Sequence, residues 1–364
     1  MAKKIIIAGG GTGGHIFPAL AIANALKVID GDIEILFVGA NGKMEMEKVP
    51  QAGYKIEGLD IAGFNRSSLI KNIALPWKLV KSFLKVRSIF RRFQPDAAIG
   101  VGGYSSFPVL RYAQARGVKT FIHESNSFAG KSNMMLGKKA TKIFTGTDGM
   151  EKFFPTNKIV ISGNPVRQSI ANSNVSREEA LRYFSLEPGK RTVLIVGGSL
   201  GARSINLAID SYLDQLLDAN LQIIWQTGKL YVDEAAKRTQ GKKGVWTNAF
   251  ITDIEKAYAA ADVVVSRSGA MSVAEMCVAG RAVIFVPFPF AAEDHQTVNA
   301  MQLVNKNAAL IIKDAEAATK LGPMIIELAK NEKRISELEK NIAQLAVKDA
   351  DTKIAQQIIS ELKG

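Results

Sequence analysis

The first residues that could do chemistry are a glycine-rich turn and the histidine that follows it. Gly9, Gly11 and Gly14 have the G-x-G-x-x-G spacing that lets a backbone turn approach a diphosphate, whose charge then faces a helix N-terminus. A dinucleotide-binding enzyme would also carry a carboxylate for the ribose at the end of its second strand, but that strand ends Phe37-Val38-Gly39-Ala40. The turn therefore predicts a phosphate-binding loop or a tight strand-to-helix connection, and it argues against a nicotinamide or flavin site.

His15 and the segment His123-Glu124-Ser125-Asn126 carry the side chains best suited to acid–base chemistry in the first half. His15 comes directly after the glycine turn, at the predicted start of a helix whose dipole favours the neutral imidazole. A neutral imidazole facing a cleft suits a general base, although His15 could instead cap or pack the helix. The second segment ends a predicted strand, where ligands of α/β proteins bind. Asn126 is therefore a candidate ligand contact, and Glu124 is either an alternative base or a structural carboxylate.

A second group of candidate residues lies in the other half of the chain. Residues 266–275 follow an apolar strand, and their small side chains would expose helix-start N–H groups to a phosphate. Glu275 lies five residues into this helix, roughly 7 Å along its axis, where a carboxylate could bind two ribose hydroxyls or face solvent. Gln296 stands in the polar run 293–299 after another strand and could bind sugar hydroxyls.

The elements that would position these residues are apolar strands alternating with helical stretches. Continuously apolar strands are typical of parallel sheets covered by helices on both faces, and the alternation predicts doubly wound α/β domains. The predicted strands are residues 4–8, 33–38, 97–101, 120–123, 142–145, 193–196, 222–226, 244–248, 263–266 and 282–286.

The chain repeats one architecture, because residues 197–202 form a second glycine turn between a strand and a helix. Gly163 and Pro165 interrupt the pattern, so we predict an N-terminal domain over 1–162 and a C-terminal domain over 163–345. Residues from about 346 to 364 are predicted to form a helix that packs back on the first domain. The predicted fold class is α/β, with two Rossmann-like doubly wound domains and a cleft between them.

Composition sets the broad class of protein. The 364 residues suffice for two domains, and 47% hydrophobic with 22% charged residues argue against disorder and fibrous repeats. The single cysteine, Cys277, excludes a disulfide framework and Cys-rich metal clusters, and its apolar surroundings favour a core position. We find no leader pattern and no apolar run of about 18 residues, so the expected compartment is the cytosol.

The net charge of +13 is concentrated in the first half of the chain. Residues 1–162 carry 23 Lys or Arg and 11 Asp or Glu, whereas residues 163–364 carry 24 and 23. A half with a net charge of +12 is expected to meet an extended anionic partner, either a nucleic acid or an acidic membrane surface.

Taken together, the motifs resemble those of the bacterial MurG family, which adds N-acetylglucosamine to the lipid-linked muramyl-pentapeptide precursor of peptidoglycan. They stand in the family's order from residue 9 to residue 300, so the resemblance spans nearly the whole chain. The matching motifs are Gly10-Gly11-Thr12-Gly13-Gly14-His15 with Pro18, Val101-Gly102-Gly103-Tyr104, His123-Glu124-Ser125-Asn126, Gly163-Asn164-Pro165-Val166-Arg167, Gly197-Gly198-Ser199-Leu200-Gly201-Ala202-Arg203, residues 266–275, and Asp294-His295-Gln296 with Asn299-Ala300.

The resemblance implies a GT-B fold and an inverting transferase that uses UDP-N-acetylglucosamine. It implies acceptor contacts at Gly11, Gly103 and Tyr104. The implied donor contacts are Thr12, Gly13, Gly14, Asn126, Arg167, Ser199, Ile251, Ala270, Met271, Ser272, Val273, Ala274, Glu275 and Gln296. The chain departs from the family's commonest pattern at Ser125 and Leu200, where glutamine is frequent, so side-chain contacts from those two positions are not carried over.

In the reaction that this resemblance implies, the C4 hydroxyl of N-acetylmuramic acid attacks the anomeric carbon as UDP departs, through an oxocarbenium-like transition state. We take His15 as the candidate base and Glu124 as its alternative. Arg167 and a helix N-terminus can supply positive potential to the departing diphosphate, so no metal or other cofactor is predicted. The pair Asp349 and Asp351 lies in the polar C-terminal stretch and is assigned to a helix start rather than a metal site.

A basic and apolar segment runs from Phe64 to Phe93 and contains no acidic residue. Such a stretch, which includes Trp77, suits the interface of an anionic membrane, although an amphipathic helix packed on its own sheet would show the same pattern. Because the implied acceptor is lipid-linked, we predict a peripheral protein on the cytoplasmic face of the bacterial cell membrane.

Two other classes of function stay open from the sequence. A nucleic-acid-binding protein would explain the charge, but the chain lacks a recognisable DNA or RNA module, so no nucleic acid partner is predicted. Another Rossmann-type nucleotide-sugar enzyme, such as an epimerase or a dehydrogenase, is the alternative enzyme.

Overall fold

A computed structural model describes residues 2–61, 75–198 and 200–363, without the side chains of residues 75, 76 and 292. The chain divides into two compact units. The N-terminal unit comprises Met1–Arg167 and Asp349–Gly364, and the C-terminal unit comprises Gln168–Lys348. Within the described ranges, no helix is long and apolar enough to cross a membrane.

The N-terminal unit is built on one parallel sheet, whose strand order is β3-β2-β1-β4-β5-β6-β7. Its strands are β1 (Lys4–Ala8), β2 (Glu34–Ala40), β3 (Lys55–Leu59), β4 (Ala97–Gly100), β5 (Lys119–Glu124), β6 (Lys142–Thr145) and β7 (Ile159–Ile161). The first helices of the chain are α1 (Gly13–Ile29), α2 (Glu45–Gln51), α3 (Leu75–Phe93), α4 (Ser106–Ala115) and α5 (Lys131–Gly137).

Strand β1 shows why these apolar runs become central strands. Ile5 and Ile7 are buried in a core on one face of the sheet, and Ile6 and Ala8 are buried in a second core on the other face. Because side chains alternate across a strand, a strand covered on both faces must be apolar at every position. The continuous apolar pattern in the sequence is the signature of this placement.

The C-terminal unit repeats the topology, with the parallel strand order β10-β9-β8-β11-β12-β13. Its strands are β8 (Arg191–Val196), β9 (Leu221–Gln226), β10 (Val245–Asn248), β11 (Val263–Ser266), β12 (Ala282–Phe285) and β13 (Leu310–Ile311). Its helices are α6 (Gln168–Ala171), α7 (Arg177–Tyr183), α8 (Arg203–Asp218), α9 (Val232–Thr239), α10 (Ile254–Ala260), α11 (Ala270–Ala279), α12 (His295–Val304), α13 (Ala317–Lys330) and α14 (Glu332–Ala343).

Both sheets reverse their winding direction beside their first strand. The reversal falls between β1 and β4 in one unit and between β8 and β11 in the other. In open α/β sheets, ligands bind outside the carboxyl ends of the strands at this switch point. The two glycine turns follow β1 and β8, and they therefore lie at the positions where such ligands bind.

The last helix of the chain, α15 (Ala350–Lys363), belongs to the N-terminal unit and packs against α1. Its buried residues Ile354, Ala355, Ile358 and Ile359 share one core with Leu26 of α1.

The two units divide after Arg167 and Lys348, five residues beyond the predicted boundary at 162 and three beyond the one at 345. The segment after residue 162 stays with the N-terminal unit because Asn164 is buried there. The Asn164 amide donates to the carbonyl of Ser125 at 3.0 Å, and its side chain fills the space beside Gly146.

All ten predicted strands are confirmed to within two residues at their ends, whereas β3, β7 and β13 were not predicted. These three strands lie at sheet edges, where one side is unpaired and less apolar surface is needed. β3 carries Lys55 and Glu57, and β7 and β13 are only three and two residues long. Their sequences therefore lack the apolar pattern of the central strands.

Candidate active site

The first glycine turn connects β1 to α1. Gly10 and Gly11 have φ angles of +146° and +91°, which residues other than glycine rarely adopt. Thr12 precedes the helix in an extended conformation, and its side chain does not cap the helix. Because the first N–H groups of a helix have no partner within the helix, the start of α1 at Gly13 and Gly14 can receive an anion.

Another glycine turn of the N-terminal unit, Gly102 and Gly103, follows the neighbouring strand β4 and contacts the turn after β1. The Gly10 N–H donates to the Gly102 carbonyl at 3.3 Å, and a Cβ on Gly103 would overlap the Gly10 backbone. Tyr104 follows, with half of its surface exposed. The turn ends at α4, where the Ser106 hydroxyl donates to the Gly102 carbonyl at 2.9 Å. Two glycine turns, each leading into a helix, therefore meet at the switch point.

His15 lies between these two turns with its imidazole in a defined orientation. Its Nδ1 is 2.9 Å from the carbonyl oxygen of Val101. A carbonyl can only accept, so Nδ1 carries the proton and Nε2 of the neutral ring is the basic nitrogen. The ring also lies against Gly102, where a Cβ would come within 2.6 Å of Nδ1. This arrangement suits a general base at Nε2.

Glu124, the alternative base, has a carboxylate engaged by the loop that follows it. Oε1 accepts from the backbone N–H of Asn126 at 3.1 Å and from its side-chain amide at 3.3 Å. Oε2 accepts from the Gly130 N–H at 3.0 Å and from the Asn133 amide at 2.8 Å. A buried carboxylate with four donors is suited to fixing the loop, and it orients Asn126.

The neighbouring His123 is almost completely buried. Burial lowers the pKa of its imidazole to about 4, so the ring stays neutral at physiological pH. Because it has no access to solvent, His123 is not placed to exchange a proton with a substrate.

Arg167 lies at the first turn of α1. Its guanidinium carbon is 5.2 Å from the ring centroid of Phe17, and the Phe17 ring lies against Gly13. The structure thus groups Arg167 with Thr12, Gly13 and Gly14 in the N-terminal unit.

Glu45 is a residue of the N-terminal site that sequence reasoning missed. It is buried at the start of α2, and its Oε2 accepts the Gly11 N–H at 2.7 Å. The Gly11 amide, predicted to contact the acceptor, is therefore already occupied. A carboxylate in a polar helical stretch gives no sequence signal of burial.

In the C-terminal unit, the glycine turn after β8 is tied to the loop that carries Ile251. The Gln226 amide donates to the Gly198 carbonyl at 2.9 Å, and its Oε1 accepts the Ile251 N–H at 3.0 Å. Sequence reasoning missed Gln226, although a polar residue at the carboxyl end of an apolar strand is a usable signal. Ser199 lies outside the described residues.

Arg267, also missed, joins the loops that follow β11 and β12. Its Nη1 donates to the carbonyls of Val286 and Pro287 at 2.9 and 3.1 Å and pairs with Asp314 at 2.5 Å. Its Nη2 donates to the Ser204 hydroxyl at 3.0 Å. An arginine directly after a buried strand needs such partners because a buried charge without them is costly.

Helix α11 begins after Gly269 without a side-chain cap. Five predicted contacts are half-buried along its start, namely Ala270, Met271, Ser272, Val273 and Ala274. Glu275 is buried, and its Oε2 accepts from the Tyr258 hydroxyl at 3.1 Å. The carboxylate thus has a partner that orients it, and it does not lie on a solvent-facing surface.

Gln296, the second residue of α12, is held by the loop after β12. Its Oε1 accepts the Phe288 N–H at 3.0 Å, which turns the side chain toward that loop. Its own carbonyl accepts from the Ser268 hydroxyl at 2.8 Å, which ties the start of α12 to the start of α11.

The structure therefore gathers those predicted residues that it describes into one group per unit, each at the carboxyl ends of its strands. No three His, Cys, Asp or Glu side chains in the part of the chain that the structure describes come together in a way that could hold a metal ion.

Comparisons with known proteins agree with the two-domain α/β fold. Residues 5–145 match the glycosyltransferase family 28 N-terminal domain, and residues 192–357 match the family 28 C-terminal domain. A protein of Bacteroides fragilis is 52% identical over 98% of this chain and 95% of its own length. It is named UDP-N-acetylglucosamine--N-acetylmuramyl-(pentapeptide) pyrophosphoryl-undecaprenol N-acetylglucosamine transferase.

Solved structures show the same fold. MurG of Acinetobacter baumannii has a TM-score of 0.80 and 28% identity, covering 98% of this chain and 99% of that one. A UDP-N-acetylglucosamine 2-epimerase has a TM-score of 0.69 at 12% identity, covering 99% of this chain and 96% of that one, so it shares the fold alone. The GT-B fold predicted from the motifs is confirmed, and the chain belongs to the MurG family of N-acetylglucosaminyltransferases within glycosyltransferase family 28.

Proposed function

We propose that the protein transfers N-acetylglucosamine from UDP-N-acetylglucosamine to the C4 hydroxyl of muramyl-pentapeptide-pyrophosphoryl-undecaprenol, a step of peptidoglycan synthesis. The relatives named for this reaction cover nearly the whole chain. The observation that carries the mechanism is the position of His15 between two glycine turns, with its Nδ1 hydrogen fixed on Val101.

The acceptor is assigned to the N-terminal unit. Its diphosphate would be met by the uncapped first turn of α1 at Gly13 and Gly14 and by the turn at Gly103, while Tyr104 lies exposed for the sugar. Gly11 contributes its backbone conformation to the turn and does not donate a hydrogen bond to the acceptor, since its N–H is bonded to Glu45.

His15 would remove the proton from the acceptor hydroxyl at Nε2. The hydroxyl oxygen then bonds to the anomeric carbon, the bond from that carbon to the diphosphate oxygen breaks, and UDP leaves with that electron pair. Attack from the face opposite the leaving group inverts the anomeric configuration. The Val101 carbonyl would stabilise the imidazolium that forms, because it accepts from Nδ1.

The donor is assigned chiefly to the C-terminal unit. Glu275, oriented by Tyr258, would accept from the ribose hydroxyls, and the uncapped start of α11 would face the diphosphate. Gln296, held by the Phe288 N–H, would present its amide nitrogen to the sugar. The further donor contacts Thr12, Asn126, Arg167, Ser199 and Ile251 stay predictions. Gly13 and Gly14, which the resemblance implies as donor contacts, are assigned in this proposal to the acceptor's diphosphate.

Transfer of labelled N-acetylglucosamine to a lipid-linked muramyl acceptor tests this function. We expect one labelled lipid product, no product with an acceptor lacking the C4 hydroxyl, and unchanged transfer after addition of a chelator, since helix N-termini stabilise the leaving group. Failure of the wild-type protein to label the complete acceptor would overturn the proposal, and loss of transfer with the chelator would assign a role to a divalent ion.

We further propose that α3 binds the cytoplasmic face of the bacterial membrane. Trp77, Val80 and Leu84 lie on one face of this helix with 64%, 50% and 61% of their surfaces exposed. The opposite face is buried, with Val86 and Ile89 in the core of the N-terminal unit. The buried face agrees with a helix packed on its own sheet, and the exposed apolar face supports the proposed membrane contact. The half of the segment before Leu75 lies outside the described residues.

Basic side chains surround the exposed apolar face of α3. The Lys81 ammonium lies 5.7 Å from the ring centroid of Trp77. The exposed basic residues of the helix are Lys78, Lys81, Lys85, Arg87, Arg91 and Arg92. Apolar side chains that enter the interface and cations that meet anionic headgroups are the two forces that hold a peripheral helix on a membrane.

Replacing both Trp77 and Leu84 with serine should weaken binding to vesicles that contain phosphatidylglycerol by about tenfold or more, since two exposed apolar side chains no longer enter the bilayer. Vesicle sedimentation measures this loss. Leu230→Ser is the matched control, because Leu230 is 90% exposed in the C-terminal unit, and its binding should equal that of the wild type. Wild-type binding that depends neither on the anionic lipid content of the vesicles nor on the salt concentration would contradict the proposed contribution of the basic side chains.

A further inference from the structure

Glu45 is a buried carboxylate whose two oxygens accept from two separate parts of the backbone. Oε1 accepts the Ala40 N–H at 2.9 Å at the end of β2, and Oε2 accepts the Gly11 N–H at 2.7 Å in the first glycine turn. Only 1% of the residue is exposed. It therefore joins the end of one strand to the turn that follows the neighbouring strand.

Two glycines leave the space that the Glu45 side chain occupies. A Cβ on Gly10 would overlap the Glu45 carboxylate, and a Cβ on Gly39 would come within 2.5 Å of its Cγ. Gly10 also requires its positive φ, whereas Gly39 does not. The glycine at position 39 is thus explained by the side chain of Glu45 rather than by backbone conformation.

A carboxylate beside a turn that meets a diphosphate needs an explanation, because two anions repel each other across a site of low dielectric. The hydrogen bonds supply one. Glu45 occupies the Gly11 N–H, which would otherwise be a donor for an anion. The hydrogen bond also stabilises one conformation of a turn whose glycines could otherwise adopt several.

We propose that Glu45 is a positioning residue for the acceptor site. It fixes the first glycine turn and occupies the Gly11 N–H, so that this group cannot bind the acceptor. The acceptor's diphosphate is thereby directed to the N–H groups in the first turn of α1. The inference rests on the proposed function, because it takes the acceptor to carry a diphosphate. Two accepting oxygens are essential to this role, since each of the two N–H groups requires its own acceptor.

Glu45→Gln tests the proposal with little change in shape. The variant keeps one accepting oxygen and places an NH2 group against the second N–H, which leaves a buried donor unsatisfied. We expect the KM for the lipid-linked acceptor to rise about tenfold or more. The KM for UDP-N-acetylglucosamine should stay within about twofold of the wild-type value, because the donor is assigned chiefly to the other unit. A general loss of folding would not raise the KM for one substrate and leave the KM for the other unchanged.

Amide hydrogen exchange gives a readout that does not depend on activity. In the wild-type protein the Gly11 and Ala40 amides should be protected, and in Glu45→Gln at least one should exchange about tenfold faster or more. Glu47→Gln is the matched control, because Glu47 lies exposed on the same helix and its carboxylate contacts the side chains of Lys48 and Gln51. It should leave both KM values and both amides unchanged.

The outcomes separate the inference from the proposed function. Unprotected Gly11 and Ala40 amides in the wild-type protein would overturn the inference even if Glu45→Gln fails to fold. Faster exchange in the variant with an unchanged acceptor KM would also overturn it and leave Glu45 a purely structural residue. Wild-type protein that transfers no sugar but shows the expected protection would instead refute the proposed function.

Discussion

Replacing His15 with alanine is expected to lower turnover by about 10²–10⁴-fold while the protein still binds UDP-N-acetylglucosamine. General-base catalysis contributes rate enhancements of this size, and alanine has no group that can accept the proton of the acceptor hydroxyl. The hydrogen bond from Nδ1 to the Val101 carbonyl fixes which nitrogen is basic, so the effect should fall on kcat. Steady-state kinetics with saturating acceptor and donor measures it.

Donor binding measured by calorimetry is the control for this variant. A dissociation constant for UDP-N-acetylglucosamine that is unchanged in His15→Ala would localise the loss to the chemical step. Unchanged turnover would remove His15 from the mechanism. An equal loss of donor affinity and turnover would show that His15 supports the binding site rather than the proton transfer.

Replacing Asp262 with alanine should cost about 3 kcal/mol of stability, roughly a hundredfold in the folding equilibrium. Asp262 lies directly before β11, and its carboxylate accepts from Arg177 at 2.6 Å and from Arg191 at 2.9 Å. It also accepts the Thr192 N–H at 2.8 Å. The substitution leaves two partly buried guanidinium groups and one buried N–H without this acceptor. Calorimetry should show the unfolding transition of the C-terminal unit about 6–12 °C lower.

Asp214→Ala is the matched control for this stability effect. Asp214 pairs with Arg238 and Lys242, each at 2.8 Å or less, but its carboxylate is more than half exposed. Exposed ion pairs contribute little because water and salt screen them, so the unfolding temperature should hardly move. Equal effects of the two substitutions would show that the burial of Asp262 does not govern its contribution.

The core of the fold could be predicted because central parallel strands are apolar at every position. Val263, Val264 and Val265 of β11 are all completely buried, and this requirement is visible in the residues themselves. Edge strands such as β3 escape the same reasoning. Lys55 and Glu57 are tolerated there because one side of the strand is open, so their pattern does not differ from that of a polar loop.

The site residues could be predicted where the pattern lies in residues adjacent in sequence, but not where residues far apart in sequence come together in the fold. The glycine turn, His15 and the small residues at the start of α11 are local patterns. Glu45, Gln226 and Arg267 act through bonds to residues 34, 25 and 47 positions away, so their roles depend on tertiary packing. For Glu124, the sequence is compatible with a catalytic base and with a structural carboxylate. The four hydrogen-bond donors around its carboxylate favour the structural role.

The placement of α15 has a consequence for the order in which the chain matures during translation. Ile354 and Ile358 complete a core shared with α1, yet the ribosome makes them only after the entire C-terminal unit. A nascent N-terminal unit therefore keeps part of this core open while roughly 180 further residues emerge. The unit synthesised second can consequently finish folding first, and the surface of α1 stays open to chaperones during that interval.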